Sequence, residues 1–111
     1  MKEVLESILH ELPYIVVQEF MFAKPFKRKF RSDYFIKVSE EIGIVVEYEG
    51  LNWHGRSRHT TNTGYINDCT KYNFAACLGY PVLRFTHKHL DDPEEVKDII
   101  LRTIRSVELT L

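Results

Sequence analysis

Apolar residues Val4, Leu5, Ile8, Leu9 and Leu12 recur at helical spacing until Pro13 stops the run, so residues 2–12 are expected to form an amphipathic helix. Residues 14–23 are rich in β-branched and aromatic side chains and read as a strand. A turn over residues 24–27 leads to a second strand at about residues 29–38, and a turn over 39–43 leads to a third at 44–49. Strands this closely spaced suggest an antiparallel meander. Residues 50–63 lack any hydrophobic period and are dense in Gly, Asn, Ser, Thr, Arg and His, the profile of a loop that is functional or mobile. Residues 64–78 are predicted helical, with Tyr65, Cys69, Tyr72 and Ala76 sharing the apolar face and Gly79 as the stop. A fourth strand at 80–86 follows this helical crossover, as parallel pairing requires. Asp92 can cap a last helix that starts at Pro93, with Glu95 completing a capping box. Its predicted buried stripe is Val96, Ile99, Ile100, Thr103, Ile104 and Val107. The expected order is α-β-β-β-α-β-α, without repeat or linker, in one α/β domain over residues 1–111.

The third strand breaks its own pattern. Side chains alternate faces along a strand, so Val45, Glu47 and Glu49 point one way and Ile44, Val46 and Tyr48 the other. Burying two acids on a strand built for the interior carries a large desolvation cost unless something neutralises them. Asp33, on the preceding strand, brings a third acid to the same region. A divalent ion such as Mg²⁺ or Mn²⁺ suits this set: Asp33, Glu47 and the backbone carbonyl of Tyr48 can supply hard oxygen ligands and leave room for water and a phosphate oxygen. Glu49 and Glu19 are further candidate carboxylates. The bland alternative is a one-sided sheet with Glu47 and Glu49 in water and Asp33 in a turn.

At 111 residues the chain can build one core. Its 44% hydrophobic and 28% charged residues are ordinary for a soluble globular protein. No apolar run approaches a membrane span, and the first residues lack the order of a signal peptide, so a cytoplasmic protein, bacterial or in a phage-infected host, is expected. Cys69 and Cys77 fall in one predicted helix, about 12 Å apart along its axis, too far for a disulfide, and read as buried thiols. The net charge of −1 does not itself point to nucleic acid, but its distribution does. Lys24, Lys27, Arg28, Lys29 and Arg31 crowd together around Phe26 and Phe30, and Arg56, Arg58 and His59 follow the acidic strand. Basic patches around an acidic centre suit a phosphate backbone approaching a metal; lysines blunting a hairpin edge are the ordinary reading.

This combination resembles the PD-(D/E)XK, or restriction-endonuclease-like, superfamily. The similarity runs through Arg28, Lys29, Phe30, Arg31, Ser32 and Asp33; Val46, Glu47, Tyr48, Glu49 and Gly50; Arg58 and His59; Gly64 and Asp68; Lys71, Tyr72 and Asn73; and residues 79–86. It points to small phage and prophage endonucleases related to very-short-patch repair endonucleases. The resemblance implies an αβββαβ core with a C-terminal helix and a metal-dependent DNA endonuclease; with so little chain outside that core for reading a long cognate site, a target defined by structure or damage is expected. It also implies Asp33 and Glu47 as metal ligands. A homodimer would supply a second cut, and no organic cofactor is expected.

One position departs from that pattern. Where the superfamily motif ends in lysine, this chain has Glu49. Lys71 offers a replacement ammonium if it reaches back over the sheet; otherwise it makes an ordinary surface pair with Asp68. His59, and less so His54, can serve as proton-transfer groups. Trp53 can stack on a base or act as an apolar lid. Lys27, Arg28, Lys29, Arg31, Arg56 and Arg58 are candidate DNA contacts, and Arg84, His87, Lys88 and His89 weaker ones. The rival from another class is a non-catalytic nucleic-acid- or protein-binding factor on a nuclease scaffold.

Overall fold

The computed structural model describes residues 1–50 and 62–111. Helix α1 (Lys2–His10) precedes strand β1 (Ile15–Phe20), a 3-10 turn (Lys24–Phe26), and strands β2 (Ser32–Lys37) and β3 (Gly43–Glu49). Helix α2 (Asn62–Cys77), strand β4 (Val82–Thr86), a second 3-10 turn (His89–Asp91) and helix α3 (Pro93–Glu108) complete the chain. The strands form one mixed sheet in the order β1-β2-β3-β4. The first three pair antiparallel and β4 runs parallel to β3, because α2 returns the chain to the starting end of the sheet.

Strand alternation splits the core into two. Tyr34, Ile36, Ile44 and Val46 pack against α1 through Leu5 and Leu9 and against α3 through Val96, Ile100 and Ile104. Phe35 and Val45 face the other way, onto Phe22, Ala23 and Ala75 of α2. β3 is therefore covered on both faces, with Ile44, Val45 and Val46 each 0% exposed. Any charge on the α2 side of this strand meets protein rather than water. α3 starts as expected: the Asp92 carboxylate accepts the Glu95 N–H at 3.2 Å and Pro93 needs no partner there. α2 ends on Gly79 at φ 76°, with the Tyr80 N–H on the Ala75 carbonyl at 2.9 Å and the Gly79 N–H on Ala76 at 3.0 Å, a Schellman close.

Four expectations need correction. β1 stops at Phe20 and β2 starts at Ser32, so residues 21–31 are not strand. Pro25 and the left-handed Lys27 (φ 58°) fold this segment back, and Phe26 and Phe30 meet Phe74 of α2 at 5.2 and 6.0 Å. Its aromatic content serves a side-chain core instead of a ladder. The predicted apolar face of α2 is also displaced: Lys71 and Ala75 are buried, whereas Tyr65, Cys69 and Ala76 are exposed. The helix covers a sheet face that ends in acids, so a lysine rather than a tyrosine turns inward. Both cysteines are consequently exposed thiols, not buried ones.

Gly43 opens β3 instead of closing the preceding turn. A Cβ there would stand 2.6 Å from the Ile36 carbonyl oxygen and closer still to the Phe35 ring. Both neighbours are buried and neither can swing into solvent. Gly43→Ala is expected to destabilise the fold by about 1–3 kcal/mol, read as a lower denaturant midpoint at unchanged slope.

Candidate active site

Asp33, Glu47 and Glu49 all lie on the α2 side of the sheet, in the alternation that places Phe35 and Val45 there. The paired rows of β2 and β3 run from Lys37–Gly43 to Tyr34–Val46. One step further, the two acids take over from the backbone. The Asp33 N–H donates to Glu47 Oε2 at 2.7 Å, and the Tyr48 N–H donates to Asp33 Oδ2 at 2.9 Å. Each carboxylate is thus pinned by the opposite strand's amide, which fixes both groups more firmly than side-chain packing alone.

Lys71 completes this unit from above. Its Nζ donates to Glu47 Oε1, and the pair is nearly sealed, with Glu47 2% and Lys71 8% exposed. An Asp68–Lys71 surface pair is therefore not the arrangement Lys71 adopts. Burial pushes the Glu47 carboxyl above its ordinary value, and the Asp33 amide and the Lys71 ammonium offset that rise only in part. One ammonium does not fully offset the burial of Glu47.

Glu49 serves a different group. Its Oε1 accepts from Arg84 Nε at 2.9 Å and from the Tyr72 hydroxyl at 3.1 Å. Arg84 stands opposite Glu47 in the β3–β4 register, and its guanidinium lies 4.7 Å over the Tyr72 ring. Burial and the nearby Glu49 and Glu47 charges raise the Tyr72 phenol, so it remains a neutral donor. Tyr72 and Arg84, with Tyr65, Asp68 and Cys69, line a small cavity of about 140 Å³ beside the acids. Sequence reasoning placed Tyr72 in an apolar stripe and left Arg84 as a peripheral cation. The alternation of β4 carried a usable signal, because Leu83 and Phe85 face the α1–α3 core and leave Arg84 on the acids' side.

Among the described residues, no hydrogen bond or ion pair joins Glu19, Lys27, Arg28, Lys29 or Arg31 to the acids Asp33 and Glu47. Glu19 is exposed on β1 and adopts a left-handed backbone (φ 51°). Lys27, Arg28, Lys29 and Arg31 are exposed on the segment before β2, with the Arg28 guanidinium 5.1 and 4.9 Å over the Phe30 and Phe74 rings. Trp53, His54, Arg56, Arg58 and His59 lie outside the described residues. Among the described residues, no helix is long and apolar enough to cross a membrane. No protein-family model, curated protein or solved structure matches this chain.

Proposed function

We propose that this protein is a metal-dependent phosphodiesterase that cuts DNA, a nuclease of the PD-(D/E)XK kind with a restriction-endonuclease-like core. The observation that carries the reading is the reciprocal clamp of Asp33 and Glu47, with the Lys71 ammonium brought onto Glu47 from another element. A buried Glu47 whose carboxyl stays above its ordinary value despite Lys71, clamped to a half-buried Asp33, is poorly suited to a purely structural role, since an apolar side chain would be more stable there.

The donor set fits Mg²⁺ or Mn²⁺. Among the described residues no three His, Cys, Asp or Glu side chains group as a metal cage, and a Mg²⁺ site needs only one or two carboxylates because the ion keeps several waters. Asp33 and Glu47 would hold the ion, with the Tyr48 carbonyl as a third oxygen. Bound there, it supplies charge neutralisation at the phosphoryl group and Lewis-acid activation of water. Lys71 fixes Glu47 and retains further N–H donors for a phosphate oxygen, which is the work expected of the lysine that Glu49 displaces. Glu49 holds Arg84 through its Nε, the Tyr72 hydroxyl donates to the same Glu49 oxygen and the Tyr72 ring lies under the guanidinium, and the terminal guanidinium nitrogens are the donors offered to the incoming phosphate. Glu49 is on this reading a positioning residue.

The test is incubation of the purified protein with plasmid, branched and single-stranded DNA, with Mg²⁺ or Mn²⁺ and with a chelator. Cleavage that the chelator stops and either ion restores is the expected result. Absence of cleavage on every substrate would overturn the reading in favour of a binding factor.

A further inference from the structure

A half-open cavity of about 400 Å³ lies at the free edge of the sheet, between β1 and the segment that follows it. Phe20, Met21, Pro25 and Tyr80 line it, together with two charged residues, Glu19 and Lys24. Tyr80 meets Phe35 edge-on at 5.0 Å, so this wall of the cavity belongs to the sheet face that carries the acids.

Its shape depends on a backbone irregularity. Val17 pairs with Phe35 and Gln18 with Tyr34, so simple alternation would send Phe20 toward the α1–α3 core. The left-handed Glu19 interrupts that alternation, and Phe20 lies instead on Phe35 at 4.6 Å. A non-glycine residue in this region is strained, and such strain concentrates where function uses it. Glu19 and Asp33 occupy the positions between the rows Gln18–Tyr34 and Phe20–Ser32, so the cavity begins one strand away from a proposed metal ligand.

We propose that this cavity receives an unpaired nucleobase of the bound DNA strand, with Glu19 accepting a hydrogen bond from the exocyclic amine of the base. The identity of the strand rests on the nuclease reading; the pocket itself rests on its own chemistry. Aromatic walls stack on any base, and a volume near 400 Å³ is in the range of small-ligand sites. The carboxylate adds a preference, because Glu pairs with the amino group of cytosine and finds no such donor at the same position of thymine. The wall at Lys24 and Pro25 opens the cationic arm: Lys24, Lys27, Arg28, Lys29 and Arg31 occur with no acid between residues 24 and 32. A strand whose phosphates follow the arm passes the cavity mouth and reaches Asp33 two residues beyond Arg31.

The experiment measures fluorescence anisotropy of labelled oligo-dC and oligo-dT of about 15 nucleotides with the wild-type protein and chelator present, so that binding is read without cleavage. Oligo-dC is expected to bind about tenfold more tightly than oligo-dT. Glu19→Gln, an exposed change, is expected to bring the two within about twofold, since an amide can donate to thymine as well as accept from cytosine. Lys27→Gln with Lys29→Gln is expected to weaken both oligonucleotides alike and to reduce the salt slope by about 1.4. Equal wild-type affinities, no binding, or a cytosine preference that survives Glu19→Gln would each overturn the pocket. With metal restored, cleavage without a base preference would overturn the pocket and leave the nuclease reading intact. A preference abolished by Glu19→Gln, with no cleavage under any ion, would do the reverse.

Discussion

Glu47→Gln is expected to lower the metal-dependent cleavage rate by on the order of a thousandfold, several kcal/mol of transition-state stabilisation. Glutamine keeps the length of the side chain, and its carbonyl can still accept the Asp33 N–H that now reaches Glu47 at 2.7 Å. What it removes is the anionic oxygen pair that would hold the ion. Asp33→Asn is expected to fall similarly. Glu49→Gln is expected to fall less, about 10–100-fold, because Glu49 acts through Arg84 and an amide still accepts from its Nε. The rates should be compared at saturating Mg²⁺ and below the unfolding midpoint of each variant. Cleavage by Glu47→Gln within tenfold of wild type would falsify the metal-ligand assignment.

The second large effect is on stability. Lys71→Met leaves the Glu47 carboxylate buried without its cation, and breaking a buried pair from one side costs about 3–5 kcal/mol. The double variant Glu47→Gln/Lys71→Met removes both charges and is expected to recover most of that loss while remaining inactive. Denaturant unfolding of the metal-free protein measures both. A double variant as unstable as Lys71→Met would show that packing, not charge, dominates the pair.

The pH dependence has a definite sign. The folded-state pKa of Glu47 lies above its ordinary 4.5 and rises further once Lys71 is gone, since the ammonium is one of the influences lowering it. Folding then favours the protonated acid. Its contribution is fully retained below 4.5, falls as pH rises through 4.5 toward the folded value, and is constant above that. The stability gap between wild type and Lys71→Met is therefore expected to be wider at neutral pH than at mildly acidic pH.

The element order was legible because it depends on local signals. The stripe of α3, its Asp92 cap, the Gly79 stop and the burial of Ile44, Val45 and Val46 follow from periodicity and end chemistry that tertiary packing does not contradict. Residues 21–31 misled because aromatic content alone does not distinguish a strand from a segment packing its rings onto a helix. α2 misled for a related reason. Its inward face carries Lys71, and a hydrophobic-period argument has no means of placing a buried lysine before its anion is known.

The sequence by itself determined that Glu47 and Glu49 share a face and that β3 reads as interior, with Asp33 on the preceding strand, because two-residue alternation and apolar runs are properties of the chain alone. Tertiary structure decided how those acids divide. The β2–β3 register couples Asp33 to Glu47, α2 lowers Lys71 onto Glu47, and the parallel β4 brings Arg84 to Glu49. These partners lie 14, 24 and 35 residues apart in the chain. No local pattern encodes such pairings; they arise when the two faces of the sheet are covered and each buried charge must meet the partner that the covering helix or neighbouring strand supplies.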